Sequence, residues 1–404
     1  MSDNPIEHVV VLMMENQSFD HLLGHFPKFG TLAQTPQCLP DPNGGSPICT
    51  TERKGKWSTN PCPTHAHTDV MEQVYGNSGQ QPPWPEAPMN GFLTNYKNAG
   101  GDPAELMGGF APYSLPTLSS LATHFTVCTN WFCSVPGPTG PNRLFANCAS
   151  SGGYAGADFE NMPPQLAPLP SVFAQLAAAG LTWQIYHQDP VFATEMVLDV
   201  VRNRPSALPA DPCFLRFHRD AMAGTLANYV FLTPTLLSSQ HDPWDARQGD
   251  ILMNCIYSTL LDSPLWERTL LLITYDEHGG HFDHVPPPLS FTKDDGRTVG
   301  IENPDGLCWN LDDWGDDFSS PPFDFTCLGV RVPAVVVSAY TPAGVDATVY
   351  EHASISATLN ELWGIGTLTR RDANANSFLK NAQPSGKRAA DTLPRPPLPV
   401  ISGP

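Results

Sequence analysis

The sequence predicts an α/β protein: a three-layer αβα sandwich on a mostly parallel central sheet, with long lid loops. Three observations carry this expectation. Apolar runs occur at Ile6 to Met14 (IEHVVVLMM), Arg268 to Tyr275 (RTLLLITY) and Val332 to Ser338 (VPAVVVS). Runs without polar alternation suit strands covered on both faces, as at the centre of a parallel sheet. Helical patterns lie between them, and strands alternating with helices stack into three layers. No stretch reads as a linker between independent units, so one domain is expected over residues 1–382.

The elements follow in order. Ile6 to Met14 is the first buried strand. Helical patterns come at Leu115 to His124, Ser171 to Ala179, Asp250 to Leu261 and Ser354 to Trp363. Gly180 stands where the second of these would end in a left-handed residue. The stretches 29–64 and 286–325 are rich in Pro, Gly, Asp and aromatic residues and read as irregular lids or binding loops. The Pro-rich tail 383–404, with LPRPPLPVISGP, reads as an extended strap or a disordered end.

Composition removes several function classes. Hydrophobic residues make up 41% and charged residues only 15%, which excludes a disordered polyelectrolyte. A formal charge of −19 argues against nucleic acid, whose phosphates need Lys and Arg, and against strong adsorption to an anionic membrane. It favours cations. No apolar stretch reaches the roughly 18 to 20 residues that span a bilayer, and no signal peptide is visible. A cytoplasmic protein is expected, or one exported by a route or presequence that this sequence does not show. The ten cysteines form no CxxC pair. Buried thiols are expected, with disulfides among Cys38, Cys49 and Cys62 as the alternative in an oxidising compartment.

Chemistry gathers where buried strands end. In open α/β sheets, ligands bind beyond the carboxyl ends of the strands. The first run ends in Glu15-Asn16 and the second in Asp276-Glu277. Three converging carboxylates repel one another, and a divalent cation is the simplest compensation. All-oxygen ligation favours one Mg²⁺, Ca²⁺ or Mn²⁺ over zinc. The alternative is that Glu15 caps a helix while Asp276 and Glu277 occupy a turn. Between the strands, CSVPGPTGPNRLF (Cys133 to Phe145) forces a tight turn and exposes Thr139 where a helix begins. A hydroxyl there faces the anion-favouring end of a helix and can be activated on a cation; an ordinary turn residue is the alternative.

Five segments in order then carry a resemblance. They are MENQSFDH (Met14 to His21), CSVPGPTGPNRLF, TYDEHGGHFDHVPPP (Thr274 to Pro288), LGVRVPAVVVS (Leu328 to Ser338) and YEHASISATLNELWG (Tyr350 to Gly364). Together they resemble the phosphoesterase family of bacterial phosphatidylcholine-type phospholipases C, plant non-specific phospholipases C and bacterial acid phosphatase A, over roughly residues 6–365. The resemblance implies an alkaline-phosphatase-like fold. It implies that Glu15, Asn16, Thr139, Asp276 and Glu277 hold one metal ion, and that Thr139 is the nucleophile, where the phosphatase branch has serine. In THAHTDV it points to His65 rather than His67, and in SSQHDPWDARQG to His241. Both histidines, with Asn16, would serve the phosphoryl group and the leaving group. Asp283, His284 and His352 are supporting candidates, the last from the Glu351-His352 pair. His281 departs from the family's usual apolar residue.

The implied activity is a phospholipase C that releases diacylglycerol and a phosphorylated head group through a covalent phospho-threonine. A broad acid phosphatase is the alternative, and a non-catalytic lipid- or metal-binding module comes third. The expected substrate is a phospholipid or another phosphate ester, met by transient contact with a membrane surface. Aromatic residues at 57, 84, 92, 110, 291, 309, 314, 318 and 323 are candidates for an apolar rim, two or three of them exposed.

Overall fold

Seven strands form the central sheet of the computed structural model, which describes residues 4–156, 166–189, 194–203, 211, 213–308 and 323–401. In chain order they are β1 (His8–Met14), β2 (Thr126–Trp131), β3 (Trp183–His187), β4 (Tyr229–Thr233), β5 (Thr269–Tyr275), β6 (Ala334–Ser338) and β7 (Gly344–Tyr350). Their spatial order is β7-β2-β6-β5-β1-β4-β3. Neither face of β1, β4, β5 or β6 meets solvent, which is why their sequences are apolar without alternation.

The principal helices are α1 (Phe19–Leu23), α2 (His67–Tyr75), α3 (Pro116–His124), α4 (Thr139–Cys148), α5 (Val172–Ala178), α6 (Ala246–Asp262) and α7 (Ala353–Trp363). Local chemistry sets their ends. Ser171 caps α5 by accepting from Ala174 N–H, and Gly180 follows with φ 74°. Asp245 caps α6, which begins four residues before the expected Asp250, by accepting from Arg247 N–H. Gly364 closes α7 with φ 65°. Helices α4, α5 and α7 pack as one group, with α7 and α5 each against α4; α3 and α6 pack as another. With the central strands buried on both sides, this is the three-layer arrangement.

Strand direction departs from expectation at one place. β1 runs parallel to β4 and β5, β3 parallel to β4, and β7 parallel to β2, but β6 is antiparallel to both neighbours. Burial on two faces leaves the same apolar run in either direction, so VPAVVVS did not reveal this. The 29–64 stretch is also less irregular than it reads. Cys38–Leu39 pairs with Ile48–Cys49, a Cys38–Cys49 disulfide closes that ribbon, and Thr51–Arg53 pairs with Gly108–Phe110. Buried thiols hold for Cys128, Cys133, Cys148 and Cys327, while Cys213, Cys255 and Cys308 are exposed. In the 286–325 stretch, Ser290–Thr292 and Thr298–Gly300 form a hairpin.

The tail is a strap as far as it is described. Tyr257 Oη donates to Pro394 O (3.0 Å), Asn254 Nδ2 to Pro396 O (2.9 Å) and Arg247 to Val400 O (2.7 Å), fastening it along α6.

Candidate active site

The six like-directed strands place their carboxyl ends on one edge, and every candidate residue except His65 follows one of those ends. Met14 of β1 lies beside Tyr275 of β5. Glu15 and Asp276 therefore emerge from adjacent strands, whose backbones lie about 4.8 Å apart. Glu15, Asn16, Asp276 and Glu277 are all buried. Asn16 has φ 62°, a conformation asparagine tolerates better than most residues. Gly279 has φ 64°, and a Cβ there would stand 2.3 Å from the Asn16 carbonyl oxygen. The first glycine of DEHGG lets that turn lie directly on Asn16.

Part of the charge compensation expected from a cation is supplied by the chain itself. Arg143, fully buried in α4, donates from Nε to Asp276 Oδ2 (2.9 Å) and from Nη2 to Glu15 Oε1 (3.0 Å). Glu277 has no arginine or lysine partner among the described residues. Its Oε2 accepts from Gly279 N–H (2.6 Å), but its Oε1 and Asn16 Oδ1 are buried without a hydrogen-bond partner among the described residues. Burial, reinforced by Asp276, pushes the Glu277 carboxyl well above its ordinary range. Burial also raises Glu15 to about 7, against the pull of Arg143. Two orphaned oxygens beside strained carboxylates fit a hard cation, which would hold both acids ionised.

Thr139 begins α4, and its turn is fixed from within. Asn142 Oδ1 accepts from Val135 N–H (2.9 Å), while Nδ2 faces the carbonyls of Val135, Gly137 and Pro138 at 3.1, 3.2 and 3.1 Å. Pro141 falls in the first turn, where a missing N–H costs nothing. The Thr139 hydroxyl has no hydrogen-bond partner among the described residues. It lines a cavity of about 430 Å³ with Glu15, Pro63, Thr64, His65, Asp69, Leu236 and His241.

The two predicted histidines meet at this cavity, their rings 6.2 Å apart. Each has Nδ1 against a backbone carbonyl: His65 on Pro63 O (3.1 Å), His241 on Asp242 O. Nδ1–H is the donor in each, which leaves Nε2 for the site. His65 Nε2 lies 3.2 Å from Asn16 Nδ2 and 3.6 Å from Glu277 Oε1. Burial lowers the His65 pKa below 6.5, so at neutral pH Nε2 accepts from the Asn16 amide and turns Asn16 Oδ1 away from itself. His67, in contrast, is tied to Pro136 O (2.6 Å), packs on Phe323 and is lowered to about 4 by burial.

Comparison with known proteins gives the chain a family. Residues 6–366 match the Phosphoesterase family. The chain belongs to that family. It is a hydrolase acting on phosphoric ester bonds. It is 34% identical to non-specific phospholipase C3 of Arabidopsis thaliana, over 93% of this chain and 73% of the relative. With phospholipase C A of Mycobacterium tuberculosis it shares 29% identity, over 89% of this chain and 73% of the relative. A solved alkaline phosphatase superfamily protein from Vibrio parahaemolyticus covers 90% of this chain and 69% of its own, at 8% identity and a TM-score of 0.40.

Other candidates of this phosphoesterase fall in distinct places. His352 supports the site: Trp131 Nε1 donates to its Nδ1 (3.3 Å), so its Nε2–H donates to Asp276 O (2.6 Å). Burial lowers it to about 4, and it stays neutral. Its neighbour Glu351 accepts from Ser134 Oγ and Arg371 Nε, each at 2.6 Å, and steadies the segment leading to Thr139. Asp283 and His284 bond elsewhere. With Asp20 they offer ligand atoms within 4.8 Å of one another, a candidate carboxylate–histidine group. Arg331 already spans it, bonding Asp20 Oδ1 (2.9 Å) and Asp283 (3.2 Å), and His284 Nδ1 bonds Asp20 Oδ2, so the charges are balanced internally.

Among the described residues, most of the rim candidates are core. Phe92, Phe110, Phe291 and Phe323 are buried, Trp57 packs under Arg247 and Trp84 against Phe323; the candidates at 309, 314 and 318 lie outside the described residues. Sequence reasoning missed Arg143 and Asn142, although both stand inside the quoted PGPTGPNRLF. It also missed the apolar residues that are exposed near His241: Leu237 at 54% and Trp244 at 44%.

Proposed function

We propose that this protein is a phospholipase C that transfers the phosphorylated head group of a glycerophospholipid to Thr139 and then to water. The observation that carries the reading is the unpartnered Thr139 hydroxyl, held at a helix start in a cavity shared with two histidines and a buried carboxylate. The relatives' names support the substrate class. Glu15, Asn16, Thr139, Asp276 and Glu277 would hold one divalent ion, which supplies Lewis acidity to the threonine oxygen and the phosphoryl group when bound.

The chain's own residues do the rest. Asn142 sets the Thr139 turn, and the helix start presents backbone N–H groups to the phosphoryl oxygens. Thr139 Oγ gives up its proton to water in the cavity and forms the bond to phosphorus as the glyceride oxygen leaves, and it takes a proton back when water later displaces it. His241 Nε2, facing the cavity, gives that oxygen a proton, and the same ring later takes one from the attacking water. His65 orients the Asn16 amide. Leu236 in the cavity wall, with exposed Leu237 and Trp244 beyond it, forms an apolar lip that meets the lipid surface during brief contact.

The test compares phosphatidylcholine, its lyso form and p-nitrophenyl phosphate as substrates of the purified protein, with and without chelator. Preferred turnover of the diester lipids, abolished by chelation, supports the reading. Preference for the monoester replaces it with an acid phosphatase.

A further inference from the structure

His281 lies beyond the residues assigned above, yet its bonds lead to the candidate acid. His281 is buried, and its Nε2 donates to Asp242 Oδ2 at 2.7 Å. The other oxygen of that carboxylate accepts from Thr59 N–H at 2.6 Å, so Asp242 is held from two directions. Arg53 tightens one of them by donating to Thr59 Oγ1 (2.9 Å). Asp242 is also the residue whose backbone carbonyl receives His241 Nδ1–H. Fixing the Asp242 side chain therefore fixes the carbonyl that sets the His241 ring plane and tautomer.

A second arm reaches the other neighbour of His241. The His281 ring stacks on His21, with centroids 3.9 Å apart and planes 12° from parallel. His21 Nδ1 bonds Gln17 Oε1, and Gln17 Nε2 donates to Gln240 O at 2.7 Å. Gln240 itself sits at φ 71°, outside the comfortable range of a residue with a Cβ, and its side chain bonds Tyr275 Oη and Ala246 O. Both residues flanking His241 are thus gripped, and His281 belongs to both grips. An apolar side chain at 281 would fill the same space, but it would leave Asp242 Oδ2 without its donor.

We infer that His281 is a positioning residue for His241, holding through Asp242 the imidazole that protonates the leaving group. The inference rests on the phospholipase reading and deepens it: in this chain the proton-transfer step depends on a histidine-to-aspartate bond outside the cavity. A ring misplaced by a fraction of its reach loses proton transfer more than binding, because only the transition state needs the proton.

Two probes that transfer the same phosphocholine group separate the roles. Monomeric dihexanoylphosphatidylcholine releases a glyceride alkoxide that needs a proton, whereas p-nitrophenylphosphorylcholine releases a stable phenolate that does not. His281→Phe keeps the stack on His21 and removes only the donor. Its kcat on the lipid should fall about 10- to 100-fold with KM little changed, and its kcat on the nitrophenyl ester by at least ten times less. His281→Gln, which restores an N–H toward Asp242, should recover most of the lipid activity. His241→Ala should show the same selectivity, and adding His281→Phe to it should cost little more. If His281→Phe does not accumulate as folded protein, Asp242→Asn gives the same comparison from the other end of the bond. Equal losses on both probes, or full additivity with His241→Ala, would overturn the positioning role while leaving Thr139 chemistry intact. Equal losses in His241→Ala itself would overturn the acid assignment, and this inference with it.

Discussion

Replacing Arg143 by methionine tests the electrostatics of the site without touching a proposed ligand. The side chain is fully buried and bonds two carboxylates, Glu15 at 3.0 Å and Asp276 at 2.9 Å. Methionine fills much of the volume but leaves both acids facing each other and Glu277. Breaking a buried ion pair by removing one partner costs about 3–5 kcal/mol. An unfolding entropy of about 2.1 cal/mol/K per residue gives roughly 0.85 kcal/mol/K for 404 residues. The expected fall in melting temperature is therefore about 4–6 °C in chelator. Divalent ion should recover part of it, because a bound cation supplies the charge that the guanidinium no longer does. Calorimetry of both proteins, with and without Mg²⁺ or Mn²⁺, reads both effects. A variant that melts within about a degree of wild type in chelator would show that Arg143 does not carry this charge balance.

Four further outcomes follow from the geometry. Thr139→Ala should lower turnover at least about 1000-fold with the fold intact, while Thr139→Ser keeps measurable activity; near-normal turnover in the alanine variant ends the covalent mechanism. Asp276→Ala should lose both stoichiometric metal, read by elemental analysis, and activity; an active wild type carrying no ion would show the ligand set misread. Leu237→Ser with Trp244→Ala should slow hydrolysis of vesicles several-fold more than of monomeric short-chain lipid, and equal effects would deny the lip. His284 has a signed pH dependence. Burial lowers its pKa, but the bond and charge of Asp20 outweigh this and hold it above 6.5. Its stabilisation is then full below about 6.5 and is lost as pH rises through the folded value. The melting difference between wild type and His284→Gln should be larger at pH 6 than at pH 9, and a constant difference counts against the ion pair.

The sequence disclosed what depends on local pattern and withheld what depends on register. Strands β1 and β5 were readable because burial on two faces removes polar alternation, and the polar residues ending them stood out for the same reason. The direction of β6 was not readable, since antiparallel pairing between two buried neighbours needs the same residues. The strands at 38–53 are two or three residues long, too short for any period to register. Exposure of the aromatics was equally hidden: a glycine precedes each of buried Phe92 and Phe110, whereas Trp244, inside the quoted HDPWD, meets solvent.

Arg143 and His281 show why a motif can be quoted and still not be understood. An arginine at the start of a helix ordinarily faces water. Its burial here follows from β1 pairing with β5 so that Glu15 and Asp276 are presented together to α4, a fact spread over 133 residues between Arg143 and Asp276. His281 finds its partner 39 residues away, on a loop that leaves a different strand. In both cases a charged or polar group is buried because the sheet gathers strand ends that are distant in sequence onto one edge, and the fold thereby makes the supporting residues conditional on the sheet. The same logic explains why the ligand candidates were easier to see than their supports. A ligand has to sit at a strand end, which the apolar pattern marks, whereas a support needs only to reach one.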